Sequence, residues 1–223
     1  LEMVVQSIPS GAVQVTNDIV KALIGSTAAG YDKGGEAHYD IISAFIKSIR
    51  ASDPNAAVYY LARMIEGGED AKFIARRLLI SASEDIGNAN PTALVLATST
   101  FQAVERIGMP ESSILLSQCV VYLASSPKSN ASYMAIKDAQ ELVQETGDIP
   151  VPLHLRNAPT SLMSKLGYGK GYAYDHDAPS GFSDQECMPV GLEGKQLYNP
   201  GENPREKSMR IYLQSLWKKK YGY

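Results

Sequence analysis

The sequence predicts an all-α protein, and three observations support this fold class. Apolar residues recur at the three-and-four spacing of one helix face from about residue 16 to residue 146. Short turns separate these stretches, with proline near helix starts and glycine near helix ends. No clear run of alternating apolar and polar residues recurs as it would in a sheet. Short connections of this kind favour antiparallel neighbours, as in a helical bundle or in stacked helix pairs.

The first three predicted helices have recognisable ends. The segment "VTNDIVKALIG" offers Thr16 as its N-cap. The segment "HYDIISAFIKSIRAS" follows a glycine-rich connector and carries one apolar stripe, formed by Ile41, Ile42, Phe45, Ile46 and Ile49. In the third helix, Ser52 or Asp53 can accept hydrogen bonds from free amides while Pro54 occupies the first turn. This helix is predicted to end at Gly67-Gly68.

Four more helices complete the predicted bundle. "EDAKFIARRLLISASEDIG" is expected to bury Ile74, Leu78 and Leu79. The next helix opens at Asn90-Pro91, ends at Gly108 and is expected to bury Leu94, Ala97, Phe101 and Val104. The last two are "PESSILLSQCVVYLASS" and "SNASYMAIKDAQELVQET".

The composition changes at Ile149. Residues 149–204 are rich in proline, glycine and tyrosine, with one short helical candidate at "PTSLMSKLG". This segment, called the wrap below, is predicted to form ordered loops over the helical body instead of a second core. A final amphipathic helix is predicted to open at Asn203-Pro204 and to run to about Lys220.

Composition and charge exclude several classes of protein. The 223 residues are 44% hydrophobic and 20% charged with a net charge of -3, which argues against a disordered chain and against general nucleic-acid coating. Cys119 and Cys187 lack metal-site spacing, and lone cysteines of this kind indicate a reducing compartment. No apolar run reaches the length of a membrane span. We therefore predict a cytoplasmic protein with no membrane partner, and the opening "LEMVV" suggests a piece of a longer protein.

The stretch "GYGKGYAYDHD", residues 167–177, is the most unusual local pattern. A phosphate-binding loop would need Lys-Ser/Thr at a helix start, or a preceding strand, and neither context is present. Asp175, His176 and Asp177 could supply metal ligands, but three consecutive residues rarely point at one ion. The favoured interpretation is an ordered loop in which glycines permit tight turns and tyrosines pack. A free-standing enzyme with its site at these three residues is kept as an alternative.

Other candidate sites are weaker. Arg76 and Arg77 are adjacent, so they do not share a helix face. Glu84-Asp85 lies beside Gly87 at a predicted helix end, where a structural or solvated role is common. With three histidines in the chain, no Ser-His-Asp or Cys-His arrangement is suggested. Hydrolytic catalysis by this chain alone is not predicted.

The basic C-terminal helix is the remaining cue to function. Its cations are the first choice for DNA contact, and they are Arg205, Lys207, Arg210, Lys218, Lys219 and Lys220. Nearby aromatic residues that could stack on bases are Tyr212, Trp217, Tyr221 and Tyr223. Second choices for DNA contact are Arg156, Lys165 and Lys170. The alternative is a surface helix whose aromatic residues attach it to the body and whose charges are solvated.

Three long segments resemble one known family. They are "YDKGGEAHYDIISAFIKSIRASDPNAAVYYLARMIEGGEDAKFIARRLLISASEDIG", "VVYLASSPKSNASYMAIKDA" and "VPLHLRNAPTSLMSKLGYGKGYAYDHD". They closely resemble the C-terminal half of the RarA/MgsA family of AAA+ ATPases, the replication-associated recombination proteins, which are related to clamp loaders and to the Werner helicase-interacting protein. The resemblance covers nearly the whole chain.

The resemblance implies a domain organisation. Residues 1–28 would be the remnant of an AAA+ lid domain, and residues 29–223 a helical oligomerisation domain like a clamp-loader collar. The loop-rich segment 149–204 and a terminal basic helix, 205–220, would belong to the second part. Family members carry ATP and magnesium in an N-terminal domain whose Walker motifs do not occur here. No cofactor is therefore expected in this chain, which should not hydrolyse ATP by itself.

The resemblance also implies a function. The chain would be the oligomerisation and DNA-transaction domain of an ATPase acting in DNA replication, recombination and repair at stalled forks. Its partners would be further copies of itself, as a homotetramer, and DNA at forks, ends or single-stranded gaps, with single-strand-binding protein as a further contact. Its location would be the cytoplasm, with the nucleoid. The alternative is a purely structural collar without nucleic-acid contact.

Overall fold

The computed structural model describes residues 36–178, 180–217 and 219–223. Every regular element within these ranges is helical, which confirms the all-α prediction. The predicted helix at residues 16–25 lies outside them. The chain divides into two compact units, residues 1–82 with 92–126 and residues 83–91 with 127–223. The division predicted at residues 28 and 29 stays a prediction.

The described part of the first unit is a five-helix bundle. Its helices are α1 (Glu36–Arg50), α2 (Pro54–Glu66), α3 (Ala71–Ser81), α4 (Thr92–Ile107) and α5 (Ser112–Ala124). Helix α5 is apolar on most sides and contacts each of the other four helices. Its fully buried side chains include Leu116, Val120 and Leu123, which form the centre of the core.

Local signals set the helix starts in this unit. The Ala56 amide donates a hydrogen bond of 2.9 Å to Asp53 Oδ1, and Pro54 occupies the first turn of α2. The predicted cap is therefore present, with Asp53 rather than Ser52 as the capping residue. Asp70 plays the same part for α3, where it accepts from the Lys72 amide at 3.0 Å.

The predicted apolar stripes are confirmed in α1 and corrected in α4. All five predicted core residues of α1, Ile41, Ile42, Phe45, Ile46 and Ile49, are buried. In α4 the buried stripe runs through Ala93, Ala97, Thr100 and Val104. Leu94 is 43% exposed, so its predicted burial is wrong, and Phe101 is half-buried. The small residues on the buried face let α3 and α5 approach closely, and the larger Leu94 lies one position off that face.

The described part of the second unit contains fewer α-helices than the first, and long loops join them. Its elements are most of a π-helical turn (Ala82–Ile86), a 3₁₀ turn (Gly87–Ala89), α6 (Ala131–Thr146), a 3₁₀ turn (Leu153–Leu155), α7 (Ser161–Lys165), a 3₁₀ turn (Asp175–Asp177) and α8 (Pro204–Trp217). The short helix predicted within the wrap is confirmed as α7. Helix α8 ends at Trp217, before the predicted end near Lys220.

The 3₁₀ turn Gly87–Ala89 is the meeting point of this unit, because both α6 and α8 contact it. Asn88 Nδ2 donates to Ser132 Oγ on α6 at 3.1 Å. Gly87 has a φ of +49°, and a Cβ at that position would lie 3.1 Å from the Ser129 carbonyl oxygen. A side chain at Gly87 would therefore be strained both by its backbone and by its neighbour.

Helix α8 starts in a network centred on the buried carboxylate of Glu206, which has no exposed surface. Asn203 accepts a hydrogen bond from the Glu206 amide at 3.0 Å, and Asn203 Nδ2 donates to Glu206 Oε2 at 2.6 Å. The Gly201 amide donates to the same oxygen at 3.1 Å, while the Tyr198 hydroxyl lies 3.5 Å from Oε1. This is a reciprocal cap in which the third helical residue reaches back over the helix start.

We expect Glu206→Ala to destabilise the second unit by about 2 to 4 kcal/mol, because it leaves buried donors on Gly201 and Asn203 without an acceptor. Urea unfolding followed by the fluorescence of Trp217, the single tryptophan, measures this loss. Glu202→Ala is the matched control, because Glu202 is 79% exposed and its removal should cost no more than about 1 kcal/mol. Equal losses in both variants would contradict the structural role of Glu206.

The two cysteines are expected to differ sharply in reactivity. Burial raises the pKa of Cys119 from 9.0 to about 11, with a hydrogen bond to Thr100 opposing the shift, whereas Cys187 is exposed. Because the thiolate is the reactive form, a thiol reagent at about pH 8 should modify Cys187 at once and Cys119 only after unfolding. Titration with an aromatic disulfide reagent measures both phases. A fast reaction at Cys119 in a Cys187→Ser protein would contradict the burial of the Cys119 thiol.

Candidate nucleic-acid interface

A cleft of about 700 Å³ lies along one face of α8. Its floor is formed by helix residues at the i, i+3, i+4, i+7 and i+8 spacing of a single face, which are Arg205, Ser208, Met209, Tyr212 and Leu213. Tyr198, from the wrap, and Tyr223, from the C-terminus, complete the lining. Among the residues that the structure describes, the lining thus combines aromatic, apolar and small polar side chains with a single cation, Arg205, and includes no acidic residue.

The environment keeps two of the lining tyrosines in their neutral form. Burial raises the pKa of Tyr198, and the nearby charge of Glu206 adds to the increase while a hydrogen bond to Asn88 opposes it. Burial also raises the pKa of Tyr223, with a smaller contribution from Tyr221. Both phenols therefore retain a proton that can be donated in a hydrogen bond.

Aromatic packing fixes the end of α8. The Trp217 ring meets Phe182 of the wrap edge-on at 4.9 Å between centroids and Tyr221 at 5.2 Å. Gly194 supports the same region, since a Cβ there would lie 3.2 Å from the Lys220 carbonyl oxygen. Trp217 thus packs the end of α8 against the wrap, and Tyr221 packs on Trp217.

Two of the predicted DNA-binding cations are engaged by the wrap. Lys207 Nζ lies 3.5 Å from Glu202 Oε2, and Arg210 Nη2 lies 3.6 Å from Glu202 Oε1. Arg210 also donates to Asn199 Oδ1 at 3.0 Å and to the carbonyl oxygen of Pro200. One exposed carboxylate therefore offsets part of the charge of both cations.

Lys220 is held more tightly than its position near the C-terminus suggests. Its Nζ lies 3.1 Å from Glu186 Oε2 and 4.2 Å from the centre of the Trp217 ring. Burial alone would lower the pKa of Lys220, but hydrogen bonds to Glu186 and Tyr221 raise it overall. Lys220 is thus a charged residue with a structural role, because it contacts both Glu186 and Trp217.

The remaining predicted cations are more accessible. Arg205 and Lys219 are exposed and have no hydrogen bond or ion pair to any residue that the structure describes, and Lys218 lies outside those residues. Lys165 and Lys170 in the wrap are also exposed. Arg156, in contrast, donates from Nε to the Val151 carbonyl at 2.6 Å and lies over the Tyr168 ring. The eight predicted cations that the structure describes therefore differ in accessibility and in their partners.

The glycine-tyrosine loop at residues 167–177 is held by its own hydrogen bonds. Gly167, Gly169 and Gly171 all have positive φ, as the interpretation of tight glycine turns requires. The Gly169 amide donates to the Leu153 carbonyl at 2.8 Å. Gln185 bridges to Ala173 in both directions, donating at 2.8 Å and accepting at 3.2 Å. The loop is a fixed part of the wrap, as predicted.

The alternative metal site at Asp175, His176 and Asp177 gains no support. Asp175 Oδ1 accepts from both the amide and the hydroxyl of Ser183, at 2.9 and 2.6 Å, and these bonds lower the pKa of Asp175. The His176 ring is exposed and lies beside Tyr174. In the part of the chain that the structure covers, no three His, Cys, Asp or Glu residues are placed to share a metal ion.

Two weaker candidates also have structural contacts. Asp85 is buried, and its carbonyl accepts from the Ser129 amide at 2.8 Å. Arg76 is exposed on α3, whereas Arg77 is half-buried with its Nε enclosed and without a hydrogen-bond partner in the described part of the chain.

Within the same described residues, no helix is both long enough and apolar enough to span a membrane.

Sequence reasoning missed Tyr198 and the part that Glu206 plays. Tyr198 stands at no position that a motif marks, since it lies in the irregular wrap. A signal for Glu206 was available, because Asn203 and Glu206 have the spacing of a capping box. Arg205, Ser208 and Met209 have the i, i+3 and i+4 spacing of one helix face, which could likewise have indicated the face that lines the cleft.

Comparisons with known proteins identify close relatives. A protein of Thermotoga maritima described as uncharacterized is 49% identical over 94% of this chain and 34% of its own length. The replication-associated recombination protein A of Coxiella burnetii is 45% identical over 86% of this chain and 44% of its own length. A Dictyostelium discoideum protein, ATPase WRNIP1, is 42% identical over 90% of this chain and 22% of its own length. The chain thus spans less than half of each of these relatives.

Two family models match consecutive parts of the chain. A model described as AAA C-terminal domain matches residues 1–50, and one described as MgsA AAA+ ATPase C terminal matches residues 51–217. The second match covers more than half of the chain, and it includes α8 and every residue that lines the cleft except Tyr223. The resemblance seen in the sequence is confirmed, and the chain belongs to the family of MgsA AAA+ ATPase C-terminal domains.

Proposed function

We propose that this chain is the assembly and DNA-contact domain of an AAA+ ATPase that acts in DNA replication, recombination and repair. The match of residues 51–217 to the family model carries this proposal. The names of the relatives, replication-associated recombination protein A among them, support the process. Stalled forks, DNA ends and single-stranded gaps are the proposed substrates, and single-strand-binding protein is a further proposed partner.

ATP and magnesium belong, in this proposal, to a part of the protein outside this chain. The sequence has no glycine loop followed by Lys-Ser/Thr, the pattern that holds the phosphates of ATP in P-loop ATPases. The full-length protein would be a DNA-dependent ATPase of the cytoplasm, found with the nucleoid. This chain would hold its copies together, which raises the effective concentration of their motor domains.

Helix α6 supports the assembly part of the proposal. None of its residues is buried within the described chain. Tyr133, Ile136 and Val143 are 45%, 57% and 64% exposed and follow one another at helical spacing along one side. An exposed apolar stripe of this kind is typical of a surface that another copy covers. We propose that a homotetramer forms through this stripe.

The DNA-contact part rests on Arg205 and Lys219. Both are exposed cations without a partner in the described residues, so a phosphate could bind them without first breaking an ion pair. Lys207, Arg210 and Lys220 would have to leave Glu202 or Glu186 to do the same. In the alternative, a purely structural collar without nucleic-acid contact, the cations of this helix would serve only in ion pairs within the protein.

We expect the chain to form a stable tetramer whose mass falls when Ile136 is replaced by glutamate, because a charge would then lie in the proposed apolar interface. Light scattering across a concentration range measures the mass. Lys137→Glu is the matched control, since it adds negative charge next to the stripe without entering it. A monomer at every concentration would contradict the assembly proposal for this chain.

We expect Arg205→Glu combined with Lys219→Glu to weaken binding of single-stranded and forked DNA by at least about tenfold at low salt and to reduce the salt slope by about 1 to 2. Fluorescence anisotropy against salt concentration measures both quantities. Lys47→Glu on α1 is the control, as an exposed cation far from α8 in the sequence. A flat titration of the unaltered chain would favour the purely structural collar.

A further inference from the structure

We propose that the cleft on α8 binds one unstacked nucleobase of single-stranded DNA, with the adjoining phosphate on Arg205. This inference rests on the proposed DNA contact and goes beyond it, because it assigns a base-binding pocket where the charge pattern alone would predict only phosphate contacts. The cleft is defined by the lining residues given above, namely Tyr198, Arg205, Ser208, Met209, Tyr212, Leu213 and Tyr223.

The walls of the cleft suit a flat aromatic ligand. Three tyrosine rings, from the wrap, from α8 and from the C-terminus, line one cavity together with Met209 and Leu213. Proteins that hold single strands stack successive bases on aromatic side chains, because every base offers a π face. The volume of about 700 Å³ falls within the roughly 300 to 1,000 Å³ that small-ligand sites occupy.

Tyr212 is the residue that a base would reach first. It is 63% exposed, and it has no ring partner within the described chain. Trp217 and Tyr221, by comparison, pack against other rings. Tyr212 is therefore free to supply a stacking surface, whereas those two aromatic residues are already used in packing.

The polar groups of the cleft are suited to the remainder of a nucleotide. Within the described part of the chain, Arg205 is the only cation of the lining and has no partner, and no carboxylate of the lining would repel a phosphate. Ser208 donates its hydroxyl proton to the Pro204 carbonyl at 3.1 Å, which leaves its oxygen able to accept a hydrogen bond from a base edge. The neutral phenol of Tyr223 adds a donor, whereas the Tyr198 hydroxyl donates to Glu206 Oε1.

This charge complementarity also favours a nucleotide over an apolar peptide. A purely apolar peptide would cover Arg205 without supplying a counter-charge. Removing water from an unpaired guanidinium in this way costs free energy. A nucleotide supplies the π face and the anion in one unit. The remaining possibility, a peptide that carries both an aromatic side chain and an acidic one, is an outcome that the following experiment distinguishes.

The test compares two oligonucleotides of about 12 units with the same phosphate charge, one of thymidine and one of abasic spacers. We expect the chain to bind the thymidine oligonucleotide about tenfold more tightly than the abasic one, and Tyr212→Ala to abolish this difference while leaving the abasic affinity unchanged. Tyr174→Ala is the matched control, because Tyr174 is similarly exposed but lies outside the cleft. Trp217 fluorescence verifies that each variant is folded.

The other outcomes separate failure of the pocket from failure of the proposed function. Equal binding of both oligonucleotides, unaffected by Tyr212→Ala, would overturn the base pocket and keep the phosphate contact. No binding of either would overturn both. A perturbed Met209 methyl resonance on adding an acidic, phenylalanine-containing peptide, with none on adding thymidine monophosphate, would overturn the nucleobase assignment in favour of a protein ligand.

Discussion

The second unit depends on the hydrogen bonds that the buried carboxylate of Glu206 accepts. A buried acid is stable only when several donors surround it, and Glu206 has the Gly201 amide and the Asn203 side chain within 3.1 Å, with the Tyr198 hydroxyl at 3.5 Å. A Cβ on Gly201 would lie 2.6 Å from Glu206 Oε2, so the approach of the backbone requires glycine. The same carboxylate thus fixes the start of α8 and the position of Tyr198.

Fixing α8 in this way determines which cations remain accessible. Since the wrap passes beside the helix start, Glu202 lies within reach of Lys207 and Arg210. At the other end, Glu186 and the Trp217 ring hold Lys220. Arg205 pairs with neither Glu202 nor Glu186, because it lies on the face of α8 that lines the cleft. A charge run that looks uniform in the sequence is therefore divided by the fold into structural and accessible cations.

The helices could be predicted from sequence because their signals are local. The apolar spacing in α1 and the Asp53-Pro54 start of α2 each depend on residues within a few turns of one another. The error at Leu94 came from the same spacing, because small residues such as Ala93 and Ala97 bury a face without a strong hydrophobic signal. Tyr198 could not be placed, since its role depends on contacts with α8 and Asn88 that no periodicity describes.

The two units use different physics, and this difference bears on what each can do. The first is held by an apolar core around α5, whose contacts salt does not screen as it screens ion pairs. The second buries few large apolar side chains and is held by hydrogen bonds, ring contacts and ion pairs such as Lys220 with Glu186. Its exposed α6 stripe and its cleft are not used in the packing of this unit, so both stay available for the second copy and the strand of DNA that we propose.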